Sequence, residues 1–116
     1  MKLFEALWGN RDIKEISPQD AYQNLQRNKE IVLLDVREKE EFALSHIKHA
    51  KNLSVNRLKQ EIEQVVPHKD TTLYVYCLSG GRSARACSLL TQMGYTDVYN
   101  LGGIASWPYE IEKGNK

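Results

Sequence analysis

The feature that most constrains the fold is the alternation of short apolar runs with segments of helical character. Residues 31–34 form an unbroken apolar run that ends at Asp35, and residues 72–76 form a β-branched and aromatic run that leads into Cys77. Such runs are typical of strands that are covered on both faces of a parallel sheet. The order predicts an α/β, three-layer fold with right-handed crossovers, a mostly parallel central sheet of about five strands, and helices on both faces.

Helices are predicted between these runs. Ser17, Pro18 and Asp20 form a helix start, with a capping hydroxyl, a proline suited to the first position and an acidic residue as in a capping box. A short polar helix is expected near residues 38–43. Two further segments carry apolar stripes at helical spacing. These stripes are Leu58, Ile62, Val65 and Val66 in the first segment, and Ala86, Leu90 and Met93, with Gly94 ending the helix, in the second.

The length of 116 residues suits one domain with a single core. We expect residues 1–12 to form a packed helix or extension, residues 13–110 to form the domain, and residues 111–116 to form a polar tail. Near the end of the domain, residues 98–99 are predicted as a short strand, residues 101–103 as a turn and residues 104–107 as a last helical piece.

Charge and hydropathy exclude several classes of partner. Sixteen basic and fifteen acidic residues give a net charge of +1, so no bulk field attracts nucleic acid or an anionic membrane. No stretch approaches the roughly 20 apolar residues that span a bilayer. Residues 1–10 lack the apolar core of a signal peptide, so we expect a cytoplasmic protein whose two cysteines are free thiols.

Three polar or glycine-rich features follow predicted strands. Asp35 closes one strand, Cys77 closes another, and residues 101–103 follow a third. Because ligands of open α/β sheets bind at the carboxyl ends of the strands, we expect these features to converge.

The segment Cys77-Leu78-Ser79-Gly80-Gly81-Arg82-Ser83 joins a strand to a helix and is the candidate site. Its adjacent glycines allow the backbone to curl, and inward N–H groups at a helix N-terminus would bind negative charge. With Cys77 at the rim, this setting lowers a thiol pKa from its usual value of about 8.5 and yields a nucleophile without a histidine base.

Other side chains of this segment leave alternatives open. Arg82 either neutralises an anionic substrate or braces the loop by binding backbone carbonyls. The Ser83 hydroxyl either caps the helix, which we favour, or binds the sulfur. For Cys87, core packing is favoured over a role as resolving thiol. His46 and His49 have a spacing that suggests metal binding, but no further ligands join them, so surface or turn positions are favoured and no metal is expected.

From about residue 16 to Trp107 the sequence resembles the single-domain rhodanese family. The active loop C-x-x-G-x-R-S matches residues 77–83, and D-V-R-x-x-x-E-F matches Asp35-Val36-Arg37 with Glu41-Phe42. The G-G-x-x-x-W part of the family's closing L-x-G-G-x-x-x-W matches Gly102-Gly103 with Trp107, and here Leu101 directly precedes the glycines. One stretch departs: where the family has G-H-I-x-G-A-x-N-x-P, residues 45–54 read S-H-I-K-H-A-K-N-L-S, so both glycines and the proline are replaced.

The resemblance implies a sulfurtransferase that carries sulfane sulfur as a persulfide on Cys77. It also implies that the amides from Leu78 to Ser83 cradle the outer sulfur, while Asp35 and Arg37 support the loop or form a purely structural ion pair. The donor would be thiosulfate or another persulfide, and the acceptor cyanide, a thiol or a protein, with no cofactor.

Two other classes remain open at this point. Cysteine phosphatases and arsenate reductases also place a cysteine and an arginine on an anion-binding loop, but tyrosine-phosphatase-like loops have five residues between them and this chain has four. The other alternative is a sulfur-carrier or regulatory module with little activity on small molecules.

Overall fold

The computed structural model describes residues 13–114, so the predicted N-terminal segment 1–12 lies outside the described residues. Within that range there are seven strands, four α-helices and one 3₁₀ turn. In chain order they are β1 (Lys14–Glu15), α1 (Pro18–Arg27), β2 (Val32–Asp35), α2 (Lys39–Leu44), β3 (His46–Ile47), β4 (Lys51–Asn52), α3 (Val55–Val65), β5 (Leu73–Cys77), α4 (Gly81–Gln92), β6 (Val98–Gly103), the 3₁₀ turn Ile104–Ser106 and β7 (Ile111–Glu112).

Five of the strands form one parallel sheet in the order β1-β6-β5-β2-β4. β5 is the central strand and β2 lies beside it. The predicted α/β class, parallel sheet and five-strand size are therefore confirmed. Strands β3 and β7 form a separate antiparallel pair, and no helix among residues 13–114 has the length and apolar character needed to cross a membrane.

The two cores follow from the alternation of side chains along β5. Leu73 and Val75 face one side, where they pack in a cluster with residues of α3 and α4. Tyr74 and Tyr76 face the other side and pack in a cluster with residues of α1 and α2. Because the apolar runs are buried on both faces, the helices cover both sides of the sheet as predicted.

The helix starts follow their capping signals. The Ser17 hydroxyl accepts a hydrogen bond from the Asp20 N–H at 3.1 Å, and Pro18 occupies the first turn, which confirms the predicted start of α1. In α3, Leu58 and Ile62 are fully buried, but Val65 is 39% exposed. The prediction that Val65 shares the buried face is wrong, since the side chain at the end of the helix turns to solvent while Val66 is buried.

The predicted turn at residues 101–103 is instead the end of β6. Asn100 pairs with Val75 and Gly102 pairs with Tyr76, so Leu101 is one extra residue in the register. The glycine signal marks a β-bulge inside a strand, where Gly102 has φ 99°. The strand thus continues until Gly103 lies beside Cys77.

Residues expected at the surface also enter regular structure. The stretch predicted as a polar tail contributes β7, with Ile111 opposite Ile47. His46, expected at a surface or turn, is fully buried in β3, where its ring stacks on Phe42 at 3.7 Å between centroids. His49 does lie in a turn and has φ 75°. It takes the left-handed position that the family pattern gives to glycine, at a cost of about 1 kcal/mol.

Candidate active site

The carboxyl ends of β2, β5 and β6 lie side by side. Asp35 pairs with Tyr76 and Gly103 pairs with Cys77. The Val36 N–H continues the ladder by donating to the Tyr76 carbonyl at 3.0 Å. Parallel strands in register bring together the three features that the sequence placed at strand ends.

The loop after β5 is a tight strand-to-helix connection held against β6. Gly80 has φ 113° and stands at the N-terminus of α4, a conformation that glycine adopts without steric cost. The Ala105 N–H donates to the Leu78 carbonyl at 3.2 Å. The backbone of Gly103 approaches Leu78 and Ser79 so closely that it leaves no room for a side chain.

The Cys77 sulfur lies inside this curl of backbone. It accepts hydrogen bonds from the Gly80 N–H at 3.1 Å and the Ser83 N–H at 3.3 Å. These two N–H groups, both within the stretch from Leu78 to Ser83, therefore point toward the sulfur.

The sulfur is at the floor of the loop and not at its rim. The Cys77 residue is 1% exposed, whereas Leu78 above it is 49% exposed. Cys77 is the last residue of β5 and pairs with Gly103, so its side chain is buried and does not lie at a rim as expected. The neighbouring loop residues, not the thiol, meet solvent.

Two effects act on the Cys77 thiol in opposite directions. Burial raises its pKa, because it disfavours the charged form. Hydrogen bonds from the Ser83 hydroxyl and from the N–H groups of Ser83, Gly80 and Ser79 outweigh burial, so the pKa of Cys77 lies below its ordinary value. The loop thus favours a thiolate.

The Ser83 hydroxyl does not cap the helix. It is fully buried, stands 3.5 Å from the Cys77 sulfur and lies 2.7 Å from Oδ1 of Asn100. The same Oδ1 accepts a hydrogen bond from the Gly102 N–H at 2.9 Å. The expectation of a cap is wrong since Gly80 holds the capping position, and the hydroxyl instead joins the sulfur to β6.

Sequence reasoning missed Asn100. It lies two residues before the double glycine of β6, within a segment expected to be strand and turn, and nothing in its immediate pattern distinguished it. The one available signal was its place on a strand predicted to end beside the cysteine loop.

Arg82 takes neither of the two expected roles. Its guanidinium binds the Glu41 carboxylate through two parallel contacts, Nη1 to Oε1 at 2.8 Å and Nη2 to Oε2 at 3.0 Å. The hydrogen bonds from Arg82 hold the pKa of Glu41 at about 2. Glu41 belongs to the D-V-R-x-x-x-E-F motif but was not predicted as a site residue, because the sequence did not place α2 against the loop.

Asp35 and Arg37 form a buried ion pair beside the site. Arg37 Nη2 lies 2.8 Å from Asp35 Oδ2 and donates to the Ser45 carbonyl at 2.6 Å. In the described part of the chain, no hydrogen bond joins either side chain to residues 77–83. This geometry favours the structural ion pair, which fixes the start of the β2–α2 connection.

Cys87 lies in the apolar cluster of α4. The residue is buried and its thiol is free, and burial raises its pKa to about 12. A protonated thiol in an apolar core is neither nucleophilic nor reactive, in line with the favoured packing role.

Two surface cavities lie away from the cysteine loop. One is bordered by Tyr22, Trp107 and Lys51 and the other by Lys39, Phe42 and Glu112, and neither is lined by a residue of that loop. Across residues 13–114 there is no cluster of three or more histidine, cysteine or acidic side chains arranged to hold a metal ion.

We expect a titration of the Cys77 thiol, followed by ultraviolet absorbance in a Cys87→Ala background, to give a midpoint below the ordinary value of about 8.5. Asn100→Asp keeps the shape of the side chain but adds a negative charge behind the Ser83 hydroxyl, which should raise this midpoint because a nearby negative charge disfavours the thiolate. Asn24→Asp, on α1, serves as the control. A wild-type midpoint at or above that of free cysteine would contradict the prediction.

Fold and site together define an α/β protein that holds a cysteine sulfur on the backbone amides of a strand-to-helix loop. The sequence matches the Rhodanese-like domain family over residues 17–109. The chain belongs to that family.

Individual relatives agree with this assignment. Thiosulfate sulfurtransferase PspE of Escherichia coli is 39% identical over 71 residues, which cover 61% of this chain and 68% of the relative. A sulfurtransferase of Allochromatium vinosum is 34% identical over 96 residues, covering 82% and 88%. The crystal structure of a thiosulfate sulfurtransferase from Pseudomonas aeruginosa superimposes with a TM-score of 0.81 at 36% identity, over 88% of this chain but 20% of that longer chain.

Proposed function

We propose that this protein is a rhodanese-type sulfurtransferase in which Cys77 carries sulfane sulfur as a persulfide. The observation that carries the proposal is the position of the Cys77 sulfur, which accepts hydrogen bonds from the N–H groups of Gly80 and Ser83 at 3.1 and 3.3 Å. The relatives whose names include thiosulfate sulfurtransferase support the same chemistry.

In the first step the Cys77 thiolate attacks the outer sulfur of a donor. The new bond joins the cysteine sulfur to that outer sulfur, and the donor's own sulfur–sulfur bond breaks. With thiosulfate the products are the Cys77 persulfide anion and sulfite, so three negative charges stand on each side of the step. In the second step an acceptor thiol or cyanide removes the outer sulfur and regenerates the thiolate. This is two-step nucleophilic catalysis.

The backbone amides of the loop and the start of α4 have different roles in this reaction. The N–H groups from Leu78 to Ser83 supply fixed dipoles that stabilise a negatively charged sulfur without reorganisation. The start of α4 adds the partial positive charge of a helix N-terminus. Because Leu78 and Ser79 are exposed and Cys77 is not, a donor approaches the sulfur from the side of these two residues.

The length of the loop argues against phosphatase chemistry. The four-residue spacing between Cys77 and Arg82 makes a smaller cup than that of tyrosine-phosphatase-like loops. Such a cup suits a sulfur atom better than a tetrahedral phosphate. A role as sulfur carrier to a protein acceptor uses the same Cys77 persulfide.

The test is to incubate the protein with a sulfane donor and record its intact mass. We expect the addition of one sulfur atom, and its loss when a thiol acceptor is added, because the persulfide is an intermediate and not an end product. Peptide mapping should locate the sulfur on Cys77. A protein that acquires no sulfur from thiosulfate, a thiosulfonate or an alkyl persulfide would refute the proposal.

A further inference from the structure

We propose that Asn100 is a positioning residue of the sulfur-transfer site, which holds the Ser83 hydroxyl proton away from Cys77 until the Cys77 sulfur carries a negative charge. The inference rests on the proposed function, since it concerns the sulfur that attacks the donor. Asn100 acts through Ser83, and within the described part of the chain it makes no hydrogen bond to the sulfur itself.

The Ser83 hydroxyl has one proton and several acceptors around it. Asn100 Oδ1 lies at 2.7 Å, the carbonyl oxygens of Gly80 and Gly102 lie at 3.1 and 3.2 Å, and the Cys77 sulfur lies at 3.5 Å. A serine hydroxyl donates one hydrogen bond, so these acceptors compete for it. The shortest distance favours Asn100, and the hydroxyl oxygen then remains free to accept a bond from the thiol.

The orientation of the Asn100 amide is fixed by its neighbours. The Gly102 N–H donates to Oδ1 at 2.9 Å, and Nδ2 donates to the Gly80 carbonyl at 3.5 Å. A half-turn of the amide would place Nδ2 against the Gly102 N–H, so that two donors would face each other. Because Gly102 follows the extra residue of the bulge, the shape of β6 directs an acceptor at Ser83.

The direction of the contact between Ser83 and Cys77 then depends on the charge of the sulfur. A neutral thiol donates its own proton to the Ser83 oxygen while Ser83 donates to Asn100. A thiolate has no proton to donate and attracts the Ser83 proton, so the hydroxyl turns from Asn100 to the sulfur. No proton leaves Ser83 in this change, and only the direction of the hydrogen bonds is reversed.

The negative charge moves during the proposed reaction. It leaves the Cys77 Sγ and comes to lie on the outer sulfur of the persulfide, among the loop amides. The inner sulfur is then neutral, so the Ser83 proton returns to Asn100. An acceptor that competes with the thiolate for this proton also keeps the attacking sulfur more basic, and a more basic thiolate is the stronger nucleophile.

Other charged and titratable groups also act on the sulfur. On α4, Arg82 and Cys87 couple electrostatically to Cys77. The carboxylates that face Arg82 are Glu41 of α2, which pairs with it, and Asp35 of β2. Cys87 is replaced by alanine in every protein to be titrated and the other three groups stay unchanged, so a shift between variants reports on Asn100.

The experiment titrates the Cys77 thiol by ultraviolet absorbance and by alkylation rate against pH, with and without Asn100→Leu or Asn100→Ala, in the Cys87→Ala background. Either change removes the amide acceptor, so the neutral thiol form loses the bond from Ser83 to Oδ1 whereas the thiolate keeps its bond from Ser83. We expect the midpoint to fall. Loading by thiosulfate at a pH above both midpoints should become about threefold slower for each unit of that fall, because the thiolate is less basic.

Ser83→Ala is the control that isolates the pathway, because it removes the hydroxyl through which Asn100 acts. In a Ser83→Ala background, Asn100→Leu should leave the midpoint unchanged. Asn24→Leu makes the same change on α1, where the amide donates to the Tyr74 hydroxyl at 2.9 Å, and it should also leave the midpoint unchanged.

A purely structural role for Asn100 predicts a shift of the opposite sign, because a disturbed loop withdraws the amides that stabilise the thiolate. A midpoint that rises or stays constant in Asn100→Leu and Asn100→Ala overturns the inference. An equal fall in the Ser83→Ala background does so as well. Failure of the proposed function looks different, because then no donor loads Cys77 in any variant while the titration still reports on Asn100.

Discussion

Replacing Cys77 with serine should abolish persulfide formation and lower sulfur transfer by at least about a thousandfold, because the nucleophile itself is lost. A serine hydroxyl is nearly the same shape and can accept the hydrogen bonds of the Gly80 and Ser83 N–H groups. It stays protonated at neutral pH, however, so it cannot attack a sulfane sulfur. Intact-protein mass spectrometry after incubation with the donor, together with steady-state transfer rates, provides the measurement.

Cys87→Ala is the control for this substitution. It removes the other thiol, which lies buried in the core of α4, and should retain the added sulfur and the transfer rate. A modest loss of stability, about 1 kcal/mol, is expected for the small cavity left in the core. If the sulfur adduct persisted in Cys77→Ser and disappeared in Cys87→Ala, the sulfur would be carried by Cys87, and the assignment to Cys77 would be contradicted.

Gly103→Ala should be the most disruptive single change that leaves every reactive group in place. A Cβ at this position would overlap the Leu78 carbonyl oxygen and lie 2.6 Å from the Ser79 Cα. Both are backbone atoms, so relief requires the cysteine loop itself to move. We expect a loss of about 3 kcal/mol or more in the free energy of unfolding, measured by urea denaturation. A more than tenfold lower rate of sulfur loading should accompany it, because the amide positions are disturbed.

Gly81→Ala provides the stability control on the other side of the same loop. A Cβ there meets no atom within 4 Å, and the residue is the first of α4. Alanine is the better helix former by up to about 1 kcal/mol, so the free energy of unfolding should stay equal or rise slightly. If Gly103→Ala were as stable as Gly81→Ala, the close approach of β6 to the loop would not exist.

Much of the fold was predictable because local signals agreed with one another. The apolar runs that end at Asp35 and Cys77 are buried on both faces, and the capping residues of α1 begin the helix where predicted. The short strands that the sequence did not predict have a common cause. Short strands such as β3 and β7 contain two residues each, too few for any periodicity, and they exist because they pair with each other.

The candidate site, like the fold, was only partly predictable from the sequence. The loop of residues 77–83 could be proposed from its glycines, its cysteine and its position after a buried strand. The partners of its side chains could not, because Glu41 is 41 residues from Arg82 and Asn100 is 17 residues from Ser83. Each alternative considered for Arg82 and Ser83 was local, whereas the structure connects both to other elements.

The sequence by itself determined the α/β class, the parallel sheet, the main helices and the residue that holds the candidate nucleophile, since these depend on patterns a few residues long. Only the tertiary structure decided the depth of Cys77, the ion pair between Arg82 and Glu41 and the link from Ser83 to Asn100. The physical reason is that charge balance and burial at a site depend on distances between groups from different elements. Those distances are set by how β2, β5 and β6 align and by how α2 packs on them.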